Sequence, residues 1–146
     1  MIEKAEFQDL PEILRLQYLA YQTEAALFGT QDIPPLKQTL AEVETEFRQG
    51  VILKLTENGS IIGSVRAREQ NGTVCIGKLM VHPAHRCKGY GSMLLAAIEA
   101  CFPGKRYELF TSTRSADNLR LYRKLGYHEF DRRAVDAELI FVYLEK

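Results

Sequence analysis

Apolar positions recur with two different periods along the chain, and the change of period separates predicted helices from predicted strands. Two early segments have the spacing of an amphipathic helix, with apolar positions Ile13, Leu16, Leu19 and Ala20 in the first and Leu36, Leu40, Val43 and Phe47 in the second. Residues 51–57, 61–69 and 73–82 are instead typical of strands, and Asn58-Gly59 and Asn71-Gly72 separate them. Because Asn and Gly accept positive φ at little cost, these dipeptides predict two consecutive hairpin turns.

The remaining segments complete a mixed order of elements. We predict a first strand at 2–7, helices at 89–102 and 115–125, a strand at 106–113 and two final strands. The order β-α-α-β-β-β-α-β-α-β-β predicts an α/β (α+β) fold with a mixed, mostly antiparallel seven-stranded sheet flanked by about four helices. No repeat, low-complexity segment or linker divides the sequence, so residues 1–146 are predicted to form a single domain.

Composition narrows the class of protein. The chain has 46% hydrophobic and 26% charged residues, and its 19 basic and 19 acidic residues leave no net field that would attract nucleic acid or an anionic membrane. No apolar stretch is long enough to span a bilayer, and residues 1–4 lack the features of a signal peptide. These patterns predict a cytoplasmic protein that binds neither nucleic acid nor membrane.

The three cysteines and the neighbouring histidines do not form a recognisable site. Cys75, Cys87 and Cys101 are widely spaced and odd in number, which argues against a disulfide framework or a zinc site. Cys75 and Cys101 lie in apolar stretches and are predicted to be small core residues. His82 and His85 lack further ligands, so no metal is expected.

Charge is balanced in total but uneven along the chain. Residues 76–133 contain eleven Lys or Arg against five Asp or Glu, whereas residues 22–50 contain five acids against two bases. One interpretation is that both excesses lie on ordinary solvated helix faces. The other is that an anion-binding second half faces a first half that tolerates a cationic ligand.

The stretch from Leu79 to Leu95 is the most informative segment of the sequence. A hydrophobic strand is followed by a short basic loop, which enters a helix at Gly89 and Gly91. The first turn of a helix leaves N–H groups unpaired and its dipole favours negative charge, so such a junction suits a phosphate. Glycines allow close approach of the backbone, and Arg86 and Lys88 add positive charge. The loop lacks the Lys-Ser/Thr ending of a P-loop and the third glycine of a dinucleotide-binding fold.

Two motifs carry a family resemblance. Arg86-x-x-Gly89-x-Gly91, preceded by Leu79-x-Val81, resembles the coenzyme A pyrophosphate motif of the GNAT superfamily of N-acetyltransferases. Asn118-Leu-Arg-Leu-Tyr122-Arg-Lys-Leu-Gly126-Tyr127 resembles the next conserved block of that family, a helix followed by a turn into a strand. The two motifs have the separation and the predicted structural context that the family requires.

The resemblance implies acetyl-coenzyme A as cosubstrate and no metal. The pantetheine arm would pair with the backbone of a bulged strand at Leu79, Met80 and Val81, which splays from strand 106–113. The pyrophosphate would be held by the backbone of Arg86, Cys87, Lys88, Gly89, Tyr90, Gly91 and Ser92. Asn118 would bond the pantetheine, and Tyr122 would donate a proton to the departing thiolate.

The acceptor is predicted to be a primary amine on a small molecule or on a protein. The first helices would form its site, with Tyr21, Gln22, Glu24 and Phe28 as the binding residues. The acidic excess in this part of the chain favours a cationic amine. Arg66 and Arg68, at alternating strand positions, would instead favour an acidic acceptor.

The general base and the presence of catalysis itself stay open at this point. Many relatives carry a glutamate base on the strand before the loop, but here residues 73–81 contain no acid and offer Cys75 and Lys78 instead. Glu24 is one candidate for the base. The missing acid supports an alternative, a catalytically silent coenzyme A-binding regulatory or interaction module, which the retained Tyr122 argues against. A monomer and a homodimer are both compatible with the sequence.

Overall fold

The computed structural model describes residues 1–146 and contains seven strands and six α-helices. In chain order they are β1 (Ile2–Lys4), α1 (Leu10–Ala20), α2 (Gln22–Phe28), α3 (Pro34–Lys37), α4 (Leu40–Gln49), β2 (Val51–Glu57), β3 (Ser60–Gln70), β4 (Thr73–Val81), α5 (Tyr90–Ala100), β5 (Arg106–Ser112), α6 (Ala116–Lys124), β6 (His128–Ala134) and β7 (Ile140–Glu145). Single 3-10 turns precede α1, at Phe7–Asp9, and follow β4, at Pro83–His85.

The prediction of about four helices was too low, because each of the first two predicted helices is divided. The first breaks at Tyr21, where φ is −81° and ψ is 0°, and α2 then ends at Gly29 in the left-handed conformation. The second breaks at Gln38, whose ψ of 135° is extended. Thr39 restarts the chain as α4 through a capping box with Glu42, which satisfies N–H groups at the new helix start.

The seven strands form one sheet in the order β1-β2-β3-β4-β5-β7-β6. Only β4 and β5 are parallel, so the predicted mixed and mostly antiparallel sheet is confirmed. Both predicted hairpin turns are present, with φ of 53° and 79° at Asn58 and Gly59, and 54° and 81° at Asn71 and Gly72. The hairpins align β2, β3 and β4 as consecutive antiparallel neighbours.

The central strand β4 is irregular in its second half. Gly77 pairs with Arg66 and Met80 pairs with Ser64, so two residues of β4 face one residue of β3. Lys78 lies in this bulge with a left-handed φ of 51°. Such a bulge bends its strand and increases the local twist. On the other side, parallel pairing with β5 covers only residues 73–75, and the two strands separate beyond that point.

Two hydrophobic cores pack against the sheet. The larger core joins α5 and α6 to the sheet, and its fully buried members include Leu94, Leu95 and Ile98. The smaller core joins α1 and α4 to the sheet's first strands. None of the helices is both long enough and apolar enough to cross a membrane.

Three residues at positions predicted to be apolar or buried, Leu19, Leu40 and Cys75, lie at the surface instead. Leu19 is 44% exposed, although the other members of its predicted stripe, Ile13, Leu16 and Ala20, are buried. Cys75 is also exposed, because the side chains of its neighbours Val74 and Ile76 are buried in the larger core, and the Cys75 side chain lies on the opposite face of the sheet. Strand alternation fixes that choice of face.

A buried polar network holds α1 and α4 to the sheet. The side chain of Gln17 is fully buried and donates to the carbonyl of Pro35 at 2.8 Å and to Oε1 of Gln38 at 2.9 Å. Arg66 donates to Gln17 and forms an ion pair with Glu46 at 2.5 Å. The guanidinium of Arg66 is therefore already neutralised within the fold.

Candidate active site

The loop between β4 and α5 presents a row of backbone amides that have no acceptor within the chain. These seven N–H groups belong to Arg86, Cys87, Lys88, Gly89, Tyr90, Gly91 and Ser92. Cys87 and Gly89 have left-handed φ of 63° and 82°, and α5 begins directly after Gly89. Alternation into this conformation turns successive N–H groups toward a common concavity, and the helix dipole adds positive potential there. The backbone predicted to hold a pyrophosphate therefore forms an anion-binding geometry.

The Arg86 side chain does not project into this concavity with the amides. Its guanidinium donates to the carbonyl of Ala20 at 2.9 Å and to the hydroxyl of Thr23 at 2.6 Å. A weaker bond at 3.3 Å joins its Nε to the carbonyl of Val81. Arg86 thus ties the loop to the junction of α1 and α2, whereas Lys88 stays exposed and supplies the free charge of the loop.

Two residues in the first turn of α5 lie against neighbouring elements, Tyr90 against β2 and Gly91 against α6. The hydroxyl of Tyr90 donates to Glu57 at the end of β2, at 3.1 Å. Gly91 faces α6 so closely that a Cβ there would lie 3.3 Å from the Leu121 side chain. The glycine at position 91 therefore lets α5 and α6 approach each other.

The widening space between β4 and β5 leads from the amide row toward the centre of the molecule. Met80 and Val81 pair with β3 on one side, and no ladder bond reaches β5 on the other. The edge of β4 that faces this gap, including Leu79, is available to an extended ligand, which can bind a strand edge through its own amides. The predicted pantetheine residues thus lie along an open strand edge.

Tyr122 of α6 belongs to the larger core. It is only 6% exposed and packs against Tyr127 with ring centroids 6.2 Å apart. Its hydroxyl makes no hydrogen bond within the chain. Burial raises the pKa of Tyr122 well above its usual range, and Tyr21 and Glu24 raise it further. The phenol therefore keeps its proton throughout the neutral range.

The start of α6 is linked to α2 through Glu24. The Glu24 carboxylate accepts a hydrogen bond from the hydroxyl of Ser115 at 2.8 Å and a long one from Nδ2 of Asn118 at 3.4 Å. Asn118 also lies 3.4 Å from the Thr111 hydroxyl. Both contacts of the Asn118 amide are long, so they hold the side chain only weakly.

The residues predicted to bind the acceptor are not all brought together. Tyr21 and Glu24 lie near Tyr122, and burial together with the charge of Glu24 raises the pKa of Tyr21. Gln22 is exposed, and Phe28 is half-buried at the end of α2. On the face of the sheet opposite α5 and α6, residues Glu46 and Gln49 of α4 lie beside β4 and β5.

A groove of about 360 Å³ opens on this second side, and we call it the β4 groove. Its lining includes Glu46, Arg66, Arg68, Gly77, Lys78 and Phe110. Lys78 also lines an adjoining hollow of about 260 Å³ beneath α3, together with Lys37 and Glu42. Sequence reasoning did not assign Glu46 or Phe110 to a site, because nothing in a linear pattern places α4 and β5 beside the bulge of β4.

Comparison with known proteins agrees with this architecture. A model of the acetyltransferase (GNAT) domain matches residues 48–129, which is more than half of the chain. The UPF0157 protein YqkA of Bacillus subtilis is 25% identical over 134 residues, covering 90% of this chain. The chain spans only 38% of the length of that relative.

Solved structures share the fold over almost the whole chain. The PaiA N-acetyltransferase of Thermoplasma acidophilum, in complex with coenzyme A, superposes with a TM-score of 0.82 at 16% identity, covering 98% of this chain and 96% of that one. The putative acetyltransferase YncA of Salmonella typhimurium, with acetyl-coenzyme A, gives 0.76 at 23% identity, covering 100% and 92%. At these identities the likeness establishes the common fold.

Proposed function

This chain belongs to the GNAT acetyltransferase family, and from that premise we propose that it transfers the acetyl group of acetyl-coenzyme A to a primary amine by direct attack in a ternary complex. The observation that carries the proposal is the row of seven unpaired amides directly after β4, at the end of that strand where it no longer pairs with β5. This arrangement suits a ligand with a pyrophosphate at one end and a reactive thioester at the other.

The cosubstrate would be held by backbone rather than by charged side chains. The amides of residues 86–92 would bind the pyrophosphate, with Lys88 adding positive charge from the exposed side. The pantetheine amides would pair with the free edge of β4 at residues 79–81, and Asn118 would exchange its long bond to Glu24 for one to the pantetheine. Glu24 would then keep its shorter bond to Ser115.

The reaction needs a neutral amine beside a polarised thioester. An amine with a pKa near ~10.4 is mostly protonated at neutral pH and must lose a proton to solvent or to a base before it can attack. Its nitrogen then bonds to the thioester carbon, and backbone N–H groups near residues 79–81 would stabilise the oxyanion that forms. The C–S bond breaks, the leaving sulfur takes a proton from Tyr122, and the product nitrogen loses its extra proton to solvent, from which Tyr122 is reprotonated; the amide and the coenzyme A thiol then separate. Holding both reactants in one gap supplies a large part of the rate gain.

In this proposal Tyr122 protonates the leaving thiolate. Its hydroxyl is free of internal hydrogen bonds and its pKa is raised, so a proton is always present on the phenol oxygen. A raised pKa weakens a phenol as an acid, but the thiolate leaves into the same apolar surroundings, which raise the pKa of its thiol too. Burial therefore raises the pKa of the donor and of the acceptor together, so it does not by itself disfavour transfer of the proton from Tyr122 to sulfur.

The test is release of free thiol from acetyl-coenzyme A with a panel of primary amines. Tyr122→Phe removes only the phenol oxygen and should lower kcat by about 100-fold or more while leaving cosubstrate affinity nearly unchanged. Tyr107→Phe is the matched control, because the Tyr107 hydroxyl bonds only to the carbonyls of Glu99 and Phe102. Gly89→Val should weaken acetyl-coenzyme A binding, since the position requires a left-handed φ.

The outcomes separate the proposal from its alternative. Turnover that collapses in Tyr122→Phe but not in Tyr107→Phe would support catalysis with Tyr122 as acid. Full kcat in Tyr122→Phe at every pH would refute that role. Tight binding of acetyl-coenzyme A without turnover of any amine would instead favour a catalytically silent coenzyme A-binding module.

A further inference from the structure

The β4 groove opens beside the point where β4 and β5 separate. Parallel pairing of β4 and β5 ends at Cys75 and Glu108, and the groove is lined by residues just beyond that point, including Gly77, Lys78 and Phe110. Its volume of about 360 Å³ is in the range of small-molecule sites. The groove thus borders the beginning of the gap, whereas the amide row follows the far end of β4.

Most of the charges around the groove are neutralised within the fold. Arg66 forms its ion pair with Glu46 at 2.5 Å, and Lys37 forms one with Asp32 at 2.5 Å. The carboxylate of Glu42 in the adjoining hollow accepts from the backbone and hydroxyl of its capping partner, Thr39. These pairs leave little charge to recognise a ligand.

Two cations at the groove have no acidic partner. Lys78 makes neither a hydrogen bond nor an ion pair, although it is half-buried on the bulge. Burial lowers the pKa of Lys78, and nearby Arg66 lowers it further against the opposing effect of Glu46. Arg68 contacts only the neutral amides of Gln49 and Gln70, at 3.2 and 3.4 Å. A half-buried cation without a counter-ion is costly, and an anion in the groove would remove that cost.

We infer that the β4 groove binds a carboxylate on the acceptor through Lys78 and Arg68, so that the acceptor is a small amine of the amino-acid type. The inference rests on the proposed function and names its substrate class. A purely cationic amine would meet two unpaired positive charges, which select against it. Phe110, 50% exposed on the groove wall, offers an apolar surface to the rest of the acceptor.

The experiment compares acceptors in matched pairs, each an L-amino acid and its carboxamide, for phenylalanine, leucine, alanine and glutamate. The ratio of kcat/KM for acid over amide should be at least about tenfold, the factor that one charge-assisted hydrogen bond supplies. The amide has the lower amine pKa and therefore more of the reactive neutral form, so a preference for the acid reports recognition. Equal use of acids and amides would overturn the inference and leave the proposed acetyl transfer intact.

Variants assign the preference to individual side chains. Lys78→Met and Arg68→Met should each bring the acid-to-amide ratio toward one, with the larger fall in kcat/KM on the acids, and Lys78→Arg should restore most of the ratio. Lys37→Met is the control, because it removes a charge that Asp32 already neutralises, and it should keep the ratio. Retention of the full ratio in both Lys78→Met and Arg68→Met would overturn the assignment.

A binding measurement keeps the inference separate from catalysis. N-acetyl-phenylalanine and its amide are titrated into the protein by calorimetry, with and without coenzyme A. Binding of the acid that weakens about tenfold in Lys78→Met would support the anion site even if no amine is acetylated. Failure of the acid to bind the wild-type protein would overturn it.

Discussion

Replacement of Arg86 by Met tests whether this arginine acts on the cosubstrate directly or by holding the loop. Its charge suggested a direct role beside a pyrophosphate. The guanidinium instead bonds to Ala20, Thr23 and Val81, and so ties the loop to the α1–α2 junction. Met keeps an unbranched apolar side chain and removes all three bonds.

The size of the effect follows from those bonds. Arg86 is half-exposed, so we take about 1 kcal/mol for each of the two shorter bonds and little for the one at 3.3 Å. The sum of about 2 kcal/mol corresponds to a change of about thirtyfold in the equilibrium between closed and open loop. If only the closed loop binds, coenzyme A affinity falls by up to that factor, and Tm falls by about 4–8 °C.

Lys88→Met is the matched control, since it removes the same charge from the same loop but breaks no bond within the chain. Coenzyme A affinity is measured by calorimetry at about 50 mM and about 500 mM salt, where screening differs strongly. We expect a loss that persists at high salt with a lower Tm for Arg86→Met, and a loss confined to low salt with an unchanged Tm for Lys88→Met. An unchanged Tm and a salt-sensitive loss in Arg86→Met would refute the positioning role.

Three further predictions concern stability and pH. Arg66→Ala should lower the free energy of unfolding, measured in urea, by about 3 kcal/mol. This is the lower end of the range for a broken buried ion pair, because Glu46 is 37% exposed and regains water. A loss below about 1 kcal/mol would contradict this. Burial opposes ionisation of Asp9, but hydrogen bonds from Lys54 and a backbone N–H outweigh it and lower its pKa. The Asp9 carboxylate therefore stabilises the fold at pH values above its unfolded pKa, and this contribution is lost as pH falls through its folded pKa. Asp9→Asn should therefore make the free energy of unfolding depend less on pH in the acid range. The pKa of Tyr122 is raised far above neutrality, so the phenol stays protonated over the whole working range. The value of kcat/KM should therefore rise with pH toward the amine pKa and should not fall again below about pH 10. A fall below that pH that disappears in Tyr122→Phe would contradict the prediction.

The regular parts of the fold were predictable from the sequence. Strand alternation and the two Asn-Gly turns predicted β2, β3 and β4 within one or two residues, because both signals are local and depend on backbone preference. The first helices were predicted less well. A stripe of apolar residues does not show the divisions at Tyr21 and Gln38, although Thr39-x-x-Glu42 is a local signal for the start of α4.

The candidate site was likewise predictable from the sequence only in part. Arg86-x-x-Gly89-x-Gly91 predicted a phosphate-binding backbone, since glycine positions and a helix start are written in the local sequence. The direction of the Arg86 side chain was not predictable, because its partners Ala20 and Thr23 are more than sixty residues away along the chain.

The sequence by itself determined the fold class, the family and the backbone that would hold a pyrophosphate, because period, turn chemistry and motif spacing are properties of neighbouring residues. Only the tertiary structure decided which charges remain free. It paired Arg66 with Glu46, left Lys78 alone on a bulge, and opened Cys75 and Phe110 to the same groove. Those outcomes depend on which strand face meets which helix, and that geometry is settled by long-range packing rather than by any local pattern.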